Sequence, residues 1–183
     1  MLLVGGGGRN SGKTRFSCAV IDRLRRARPI LGLKVTVIKE RGGTCPKGDD
    51  SCGVCTSLDG KGDYAITEEH GDPPGKDTSL MLEAGAQRVF WLRVLQESLE
   101  RGTAALMERV GLDTPCVCES NSLRSGLEPG MFLIVKHRDG TRIKRSCRQV
   151  LHLADRVVLS DDDGGFDPDP GMVVLAGDRW QLR

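Results

Sequence analysis

The sequence predicts an α/β fold in which a mainly parallel sheet is covered on both faces by helices, giving three layers. Short apolar and β-branched segments alternate with amphipathic helical segments along most of the chain. A glycine-rich loop lies directly between the first predicted strand and the first predicted helix. The final two apolar segments, residues 172–176 and 180–182, are separated only by Gly177 and Asp178 and predict a C-terminal β-hairpin.

The first predicted elements form a strand, loop and helix unit. Residues 2–4 are a short apolar strand, and after the glycines the apolar side chains recur at helical spacing, at Phe16, Val20, Leu24 and Ala27. Pro29 marks the end of this helix. Residues 34–39 are rich in β-branched side chains and predict a second strand, which Glu40 follows directly.

The rest of the chain continues the alternation. Asp77 is expected to cap a short helix that stops at Gly85, and an apolar stripe of Leu95, Leu99, Leu106 and Val110 predicts a longer helix. Further strands are expected at residues 88–94, 115–119, 131–136 and 156–160, with a helical segment at residues 143–153.

Length, charge and apolar content set limits on the class of protein. With 183 residues, the chain is expected to form one domain over residues 1–183. The formal net charge of +2 gives no reason to expect a nucleic acid or an anionic membrane as partner. No apolar run reaches the roughly 18 residues that a membrane span requires, so a cytoplasmic protein is expected. Seven cysteines in such a chain favour reduced thiols over disulfides.

The most specific motif is the loop after the first strand. It matches the Walker A pattern in full, with all eight residues in order: Gly7, Gly8, Arg9, Asn10, Ser11, Gly12, Lys13 and Thr14. In that pattern, backbone N–H groups surround the phosphates, Lys13 reaches the β- and γ-phosphate oxygens, and the Thr14 hydroxyl binds Mg²⁺. The sequence therefore predicts a P-loop NTPase fold that binds GTP or ATP with magnesium.

A carboxylate near the end of a neighbouring strand is needed to complete the magnesium site. Glu119, at the end of the fourth predicted strand, is the best candidate. Glu40 is the alternative, and it could instead position a catalytic water molecule. No Asn-Lys-x-Asp guanine-reading motif is present, so the sequence does not distinguish GTP from ATP.

A long segment without periodicity, at about residues 41–76, is expected to be a loop inserted into the domain. It carries Cys45, Cys52 and Cys55, and a Cys-x2-Cys pair is a common half-site for a tetrahedral metal. Zinc and an iron–sulfur cluster both accept thiolate ligands, with His70, Cys147, another subunit or a water or substrate molecule as the fourth ligand. Free or redox-active thiols and a structural disulfide are the alternatives.

The segment from Glu69 to Ala86 resembles a known family. Its Pro-Gly-Lys-Asp-Thr run, at residues 74–78, and its Ala-Gly-Ala run, at residues 84–86, look like the signature of the MobB family of molybdopterin-guanine dinucleotide biosynthesis adaptors. The likeness extends to the Walker A loop and to residues 37–39. The chain departs from the family where a His-rich segment is expected, because it has Arg41-Gly42-Gly43 followed by the cysteine-bearing insertion.

This resemblance implies a dimeric nucleotide-binding adaptor or slow NTPase, with a molybdopterin-type cofactor and its guanylyltransferase as partners. Two other functions stay open. A small-molecule kinase would use a lid of basic residues such as Arg142, Lys144, Arg145 and Arg148. A regulatory protein would sense metal or redox state through the cysteine loop and switch through the phosphate loop.

Overall fold

The computed structural model describes residues 1–39, 56–71, 74–111 and 114–183. Their largest feature is an eight-stranded mixed sheet with the order β3-β4-β2-β5-β1-β6-β7-β8. The strands are β1 Leu2–Gly6, β2 Leu31–Ile38, β3 Tyr64–Glu68, β4 Val89–Leu95, β5 Cys116–Glu119, β6 Met131–His137, β7 Arg156–Ser160 and β8 Phe166–Asp167. The six central strands are parallel, and the edge strands β3 and β8 are antiparallel to their neighbours.

Helices pack on both faces of this sheet. In the described residues these are α1 Lys13–Leu24, α2 Asp77–Glu83, α3 Leu99–Val110 and the one-turn helix α4 Arg145–Arg148. On one face, Phe16 and Ile21 of α1 and Met81 of α2 join the buried cluster that includes Leu2 and Val4. On the other face, Leu106 of α3 is buried against residues of β2 and β4. The predicted α/β architecture with a mostly parallel sheet is confirmed.

The chain ends in an antiparallel hairpin of β9 Val173–Ala176 and β10 Arg179–Leu182, as predicted. Val173 and Trp180 are buried in the same apolar cluster as α1, so the hairpin is part of the main core. None of the helices in the described part of the chain combines the length and apolar character needed to cross a bilayer.

Four local predictions were wrong. Residues 64–68 of the expected loop form the edge strand β3, and Leu95 ends β4 instead of starting α3. The expected helix at residues 143–153 is divided into α4 and a separate 3-10 turn, Leu151–Leu153. Lys76 is the N-cap residue of α2, and Asp77 is the first helical residue, whose side chain bonds to Thr14 and Lys34.

Position 102 in α3 has no room for a side chain, so the packing there requires glycine. A Cβ atom at this position would lie 2.9 Å from Cγ2 of Val94 and 3.3 Å from Cβ of Tyr64. The glycine lets α3 lie close against β3 and β4. This close packing offsets the roughly 1 kcal/mol that glycine costs within a helix.

Candidate functional site

The glycine loop, residues 7–14, lies at the carboxyl ends of the central parallel strands. It leaves β1 beside the ends of β5 and β6, where Val4 is paired with Glu119 and Gly6 with Val135. In open parallel sheets this edge is where ligands bind. The fold therefore brings the most specific motif of the sequence to the expected edge.

The backbone of the glycine loop has the curvature of an anion-binding turn. Asn10 has φ 54° and Gly12 has φ 78°, and both values are in the left-handed region. The first described hydrogen bond at the start of α1 runs from the Phe16 N–H to the Gly12 carbonyl. Within the described residues, the N–H groups of residues 8–15 donate to no protein acceptor. Free N–H groups at a helix N-terminus, together with the helix dipole, favour an anion.

Three residues of neighbouring elements hold the loop and the end of β1 that precedes it. The Asn121 side chain accepts from the Gly6 N–H at 2.7 Å and donates to the Gly6 carbonyl at 3.0 Å. The Lys144 N–H donates to the Gly7 carbonyl at 2.8 Å. The Ser160 hydroxyl donates to the Ser11 carbonyl at 3.0 Å. Apart from the Gly7 N–H, which donates to the Val135 carbonyl at 2.8 Å, the loop is thus held by its carbonyl groups, and within the described residues the N–H groups of residues 8–15 stay available.

Two ion pairs, each between a lysine and a carboxylate, lie around Thr14. The Lys13 ammonium forms an ion pair with Glu119, and the Lys34 ammonium forms one with Asp77. The Thr14 hydroxyl lies 3.1 Å from Oδ1 of Asp77 and 3.3 Å from Oε2 of Glu119. Since a hydroxyl has one proton, it donates to only one of these carboxylates at a time.

Burial and charge act in opposite directions on Asp77. Burial raises the pKa of this carboxyl group, but the Lys34 hydrogen bond, the charges of Lys34 and Lys13 and the Thr14 hydroxyl outweigh it, so the net pKa is lowered. Asp77 is therefore ionised at neutral pH, with 40% of its side chain exposed.

Glu119 differs from Asp77 because it is almost completely buried, with 2% of the residue exposed. Its Oε2 atom contacts Lys13 and Thr14, while its Oε1 atom is buried without a hydrogen-bond partner in the described residues. The buried Ser11 hydroxyl in the glycine loop also has no partner there. Oxygen atoms of this kind are the ligands and hydrogen-bond partners that a hydrated magnesium ion requires.

Cys18 faces this acidic group from one turn further along α1. Burial, followed by the charges of Glu119, Asp77 and Glu83, raises the pKa of Cys18 to about 12. Burial likewise raises the pKa of Cys116 to about 11 and lifts that of Cys118 well above the usual value. These thiols are protonated at neutral pH, and Cys116 and Cys118 pack as buried apolar residues of β5.

A cleft of about 420 Å³ lies beside the glycine loop in the segment that follows β6. It is lined by Thr141, Arg142, Ile143 and Arg148. The carbonyl oxygen of Arg142 lies 3.9 Å from where a Cβ atom on Gly8 would be. Two of the basic residues that the sequence suggests for a kinase lid are next to the glycine loop: Arg142, through its carbonyl oxygen, and Lys144, whose N–H donates to the Gly7 carbonyl.

Several predicted site residues, Glu40, Cys45, Cys52 and Cys55, lie outside the described residues. His70 is described and exposed, and its N–H group donates to Glu69 at 3.0 Å. Among residues 1–39, 56–71, 74–111 and 114–183, no group of three or more His, Cys, Asp or Glu side chains has the arrangement of a metal site.

Sequence reasoning missed Asp77, Lys34 and Asn121 as residues of this site. The sequence indicates a helix cap at Asp77, and only the packing of α2 on β2 brings this residue to Thr14 and Lys34. A signal for Asn121 was available, since it lies two residues after Glu119, at the end of the strand that pairs with β1.

Comparison with known proteins gives no relative from which a function could be transferred. No family model matches the chain, and no curated protein or solved structure matches it. The basis for a functional proposal is therefore the sequence together with the arrangement of the site.

Proposed function

We propose that this chain binds a nucleoside triphosphate, GTP or ATP, together with Mg²⁺ through residues 7–14. The observation that carries the proposal is the row of N–H groups at residues 8–15, which has no protein acceptor in the described residues and opens at the N-terminus of α1. A row of this kind at a helix N-terminus favours the negatively charged oxygens of β- and γ-phosphates. It coincides with a complete Walker A pattern, which is why a phosphate chain is preferred to a single carboxylate.

The residues around Thr14 fit magnesium. Thr14 is the proposed direct ligand, Glu119 is the proposed metal-binding carboxylate, and Asp77 is close enough to hold a metal-bound water. Magnesium would neutralise charge between the β- and γ-phosphates when bound.

In this proposal, the Lys13 ammonium group has two alternative partners. It pairs with Glu119 in the structure, and a bound γ-phosphate would compete for the same ammonium group. The release of Glu119 from Lys13 would then free its carboxylate for the magnesium ion. Phosphate and metal binding are thus coupled through one side chain.

The wider role that we propose is an adaptor or slow NTPase in molybdenum or tungsten cofactor assembly, in line with the MobB-like segments at residues 74–78 and 84–86. A zinc or iron–sulfur centre at Cys45, Cys52 and Cys55, a homodimer and a guanylyltransferase partner belong to the same proposal. The second candidate is a small-molecule kinase, and it is favoured by the cleft that Arg142 and Arg148 line, because the Arg142 carbonyl lies near Gly8.

The magnesium site can be tested by replacing the Thr14 hydroxyl. We expect Thr14→Val to abolish the Mg²⁺ dependence of nucleotide affinity, because valine keeps the shape of threonine but supplies no oxygen ligand. Thr14→Ser keeps the hydroxyl and is the matched control. The measurement is a titration of GTP and of ATP with and without Mg²⁺, and equal Mg²⁺ dependence in Thr14→Val and the wild type would contradict the assignment.

A further inference from the structure

A second polar surface lies on the face of the sheet that α1 and α2 cover. The ion pair between Lys34 and Asp77 lies between this surface and Thr14. We name it the tryptophan strip and define it by Lys34 and Thr36 of β2, Trp91 and Arg93 of β4, and Thr67 of β3. These side chains share one face because Lys34 is in register with Trp91, Thr36 with Arg93, and Thr67 with Trp91. Lys34 also pairs with Asp77, which links the strip to the candidate magnesium site.

Arg93 is the unusual member of the strip, because it is a buried charge. Only 7% of the residue is exposed, and its Nε atom is buried without a hydrogen-bond partner among the described residues. Its guanidinium group stacks on the Trp91 ring at 4.6 Å and donates one hydrogen bond, from Nη2 to the Thr67 hydroxyl, at 3.1 Å. No carboxylate in the described part of the chain pairs with it.

A buried cation of this kind is costly unless an anion compensates it. Burial accordingly lowers the pKa of Arg93 below its usual value. Arg88, just before β4, gives the ordinary arrangement for comparison, since its guanidinium stacks on Phe90 at 4.7 Å and is paired with Glu68 at 2.7 Å. Arg93 has the aromatic partner but, within the described residues, lacks the carboxylate.

The other members of the strip have the chemistry of an oxyanion site. Thr67 is exposed, and Lys34, Thr36 and Trp91 are half-buried, so the groups around Arg93 reach solvent. The Thr36 hydroxyl accepts from the Trp91 indole N–H at 2.9 Å, which leaves its own proton free to be donated. The Lys34 ammonium lies 5.8 Å from the centre of the Trp91 ring, and its charge is shared with Asp77.

We propose that the tryptophan strip binds the oxyanion group, a phosphate or a carboxylate, of a small-molecule second substrate. Arg93 and the two threonine hydroxyls hold its oxygens, and Trp91 packs against its carbon skeleton. The assignment of this ligand as a substrate rests on the proposed nucleotide site. The strip lies next to Lys34 and Asp77, so it would place the ligand on that side of a bound γ-phosphate. Oxyanion binding itself rests only on the strip.

Trp91 provides a direct signal for this site. The chain has two tryptophans, so a Trp180→Phe background leaves Trp91 as the single indole fluorophore. In that background, inorganic phosphate and acetate are titrated separately at constant ionic strength. We expect a saturable change of Trp91 fluorescence with phosphate, and saturation with acetate as well would identify a carboxylate as an accepted group.

Arg93→Met should weaken this binding by roughly tenfold or more, because hydrogen bonds to a charged group are lost. Arg88→Met is the matched control, and it should leave the titration unchanged because Arg88 stacks on a different ring. If Arg93→Met does not fold, the exposed Thr67→Val variant tests the same contact and should bind severalfold more weakly.

Phosphate could also occupy the glycine loop, so Lys13→Ala is included. The proposal predicts that Lys13→Ala keeps the Trp91 signal and that Arg93→Met loses it. It is overturned if fluorescence does not saturate, if Arg93→Met binds like the wild type, or if a Lys13→Ala variant that urea unfolding shows to be folded loses the signal. Nucleotide binding is measured separately, by calorimetry. If the protein binds no nucleotide but keeps the Trp91 signal, only the proposed function is overturned.

Discussion

Glu119 is the least exposed of the four charged side chains around Thr14, and its environment sets its expected role. Its Oε2 atom already contacts Lys13 and Thr14, whereas its Oε1 atom has no partner in the described residues. In the proposed site, Oε1 would accept a metal-bound water directly, whereas Oε2 would first have to separate from Lys13. Asp77 is more exposed, and Lys34 compensates its charge, so it is the weaker candidate of the two carboxylates for binding the metal.

We expect Glu119→Gln to reduce the Mg²⁺ dependence of nucleotide binding more than Glu40→Gln does. Glutamine keeps the shape of the side chain but removes the negative charge that attracts the metal. The measurement is a Mg²⁺ titration of nucleotide affinity for each variant. The opposite order of effects would transfer the metal role to Glu40.

Asn121 is expected to contribute to stability through its two hydrogen bonds with Gly6. Because Gly6 and Asn121 are buried, Asn121→Ala leaves a backbone N–H and a carbonyl group without their partner. We predict a loss of about 1–3 kcal/mol in the free energy of unfolding, measured with urea. The exposed amide Gln149 is the control, and Gln149→Ala should cost much less. Equal losses would show that the Gly6 contacts are energetically unimportant.

Among the elements, the glycine loop depends most on backbone conformation. Gly12 has φ 78°, and a Cβ atom there would lie 3.1 Å from both Cβ of Ser160 and Cε1 of Phe166. The strands β7 and β8 therefore approach the start of α1 as closely as a glycine allows. Packing therefore favours glycine at position 12, whatever the loop binds.

Gly12→Ala should be more destabilising than Gly60→Ala, although both glycines have a positive φ. Gly60 has φ 72°, and apart from its chain neighbours no atom of the described residues lies within 4 Å of the place that its Cβ would take, so alanine there costs mainly backbone strain, about 1–2 kcal/mol. Gly12→Ala adds the contacts with Ser160 and Phe166. Urea unfolding of both variants gives the comparison, and equal losses would mean that neighbouring side chains move aside freely.

The elements that sequence reasoning recovered are those with buried, periodic side chains. β1, β4 and α1 bury most of their apolar residues, so their pattern is set by the core. β3 was missed because it has no buried residue and lies in a polar, glycine-rich segment. This segment forms a strand because it pairs with β4, and a local sequence pattern does not reveal such a long-range contact.

For the molecule as a whole, the order of the strands determines which residues meet. The sequence indicates Lys13, Thr14 and Glu119 because a motif and a strand end can each be recognised locally. Lys34 and Asp77 cannot be recognised in that way, since they meet only when β2 lies next to β5 and α2 packs across the sheet. The same arrangement brings Arg93 and Trp91 to the face that carries Thr14.

Nucleotide binding by wild-type protein and by Lys13→Ala, measured by calorimetry with Mg·GTP and Mg·ATP, tests the proposed phosphate site most directly. Removal of Lys13 leaves the buried Glu119 unpaired and can destabilise the fold. The double variant Lys13→Ala with Glu119→Gln removes that charge, and urea unfolding confirms that both variants are folded. We predict saturable binding of at least one nucleotide to the wild type and none to either folded variant. Wild-type protein that binds neither nucleotide, or a folded Lys13→Ala variant with unchanged affinity, would contradict the proposal.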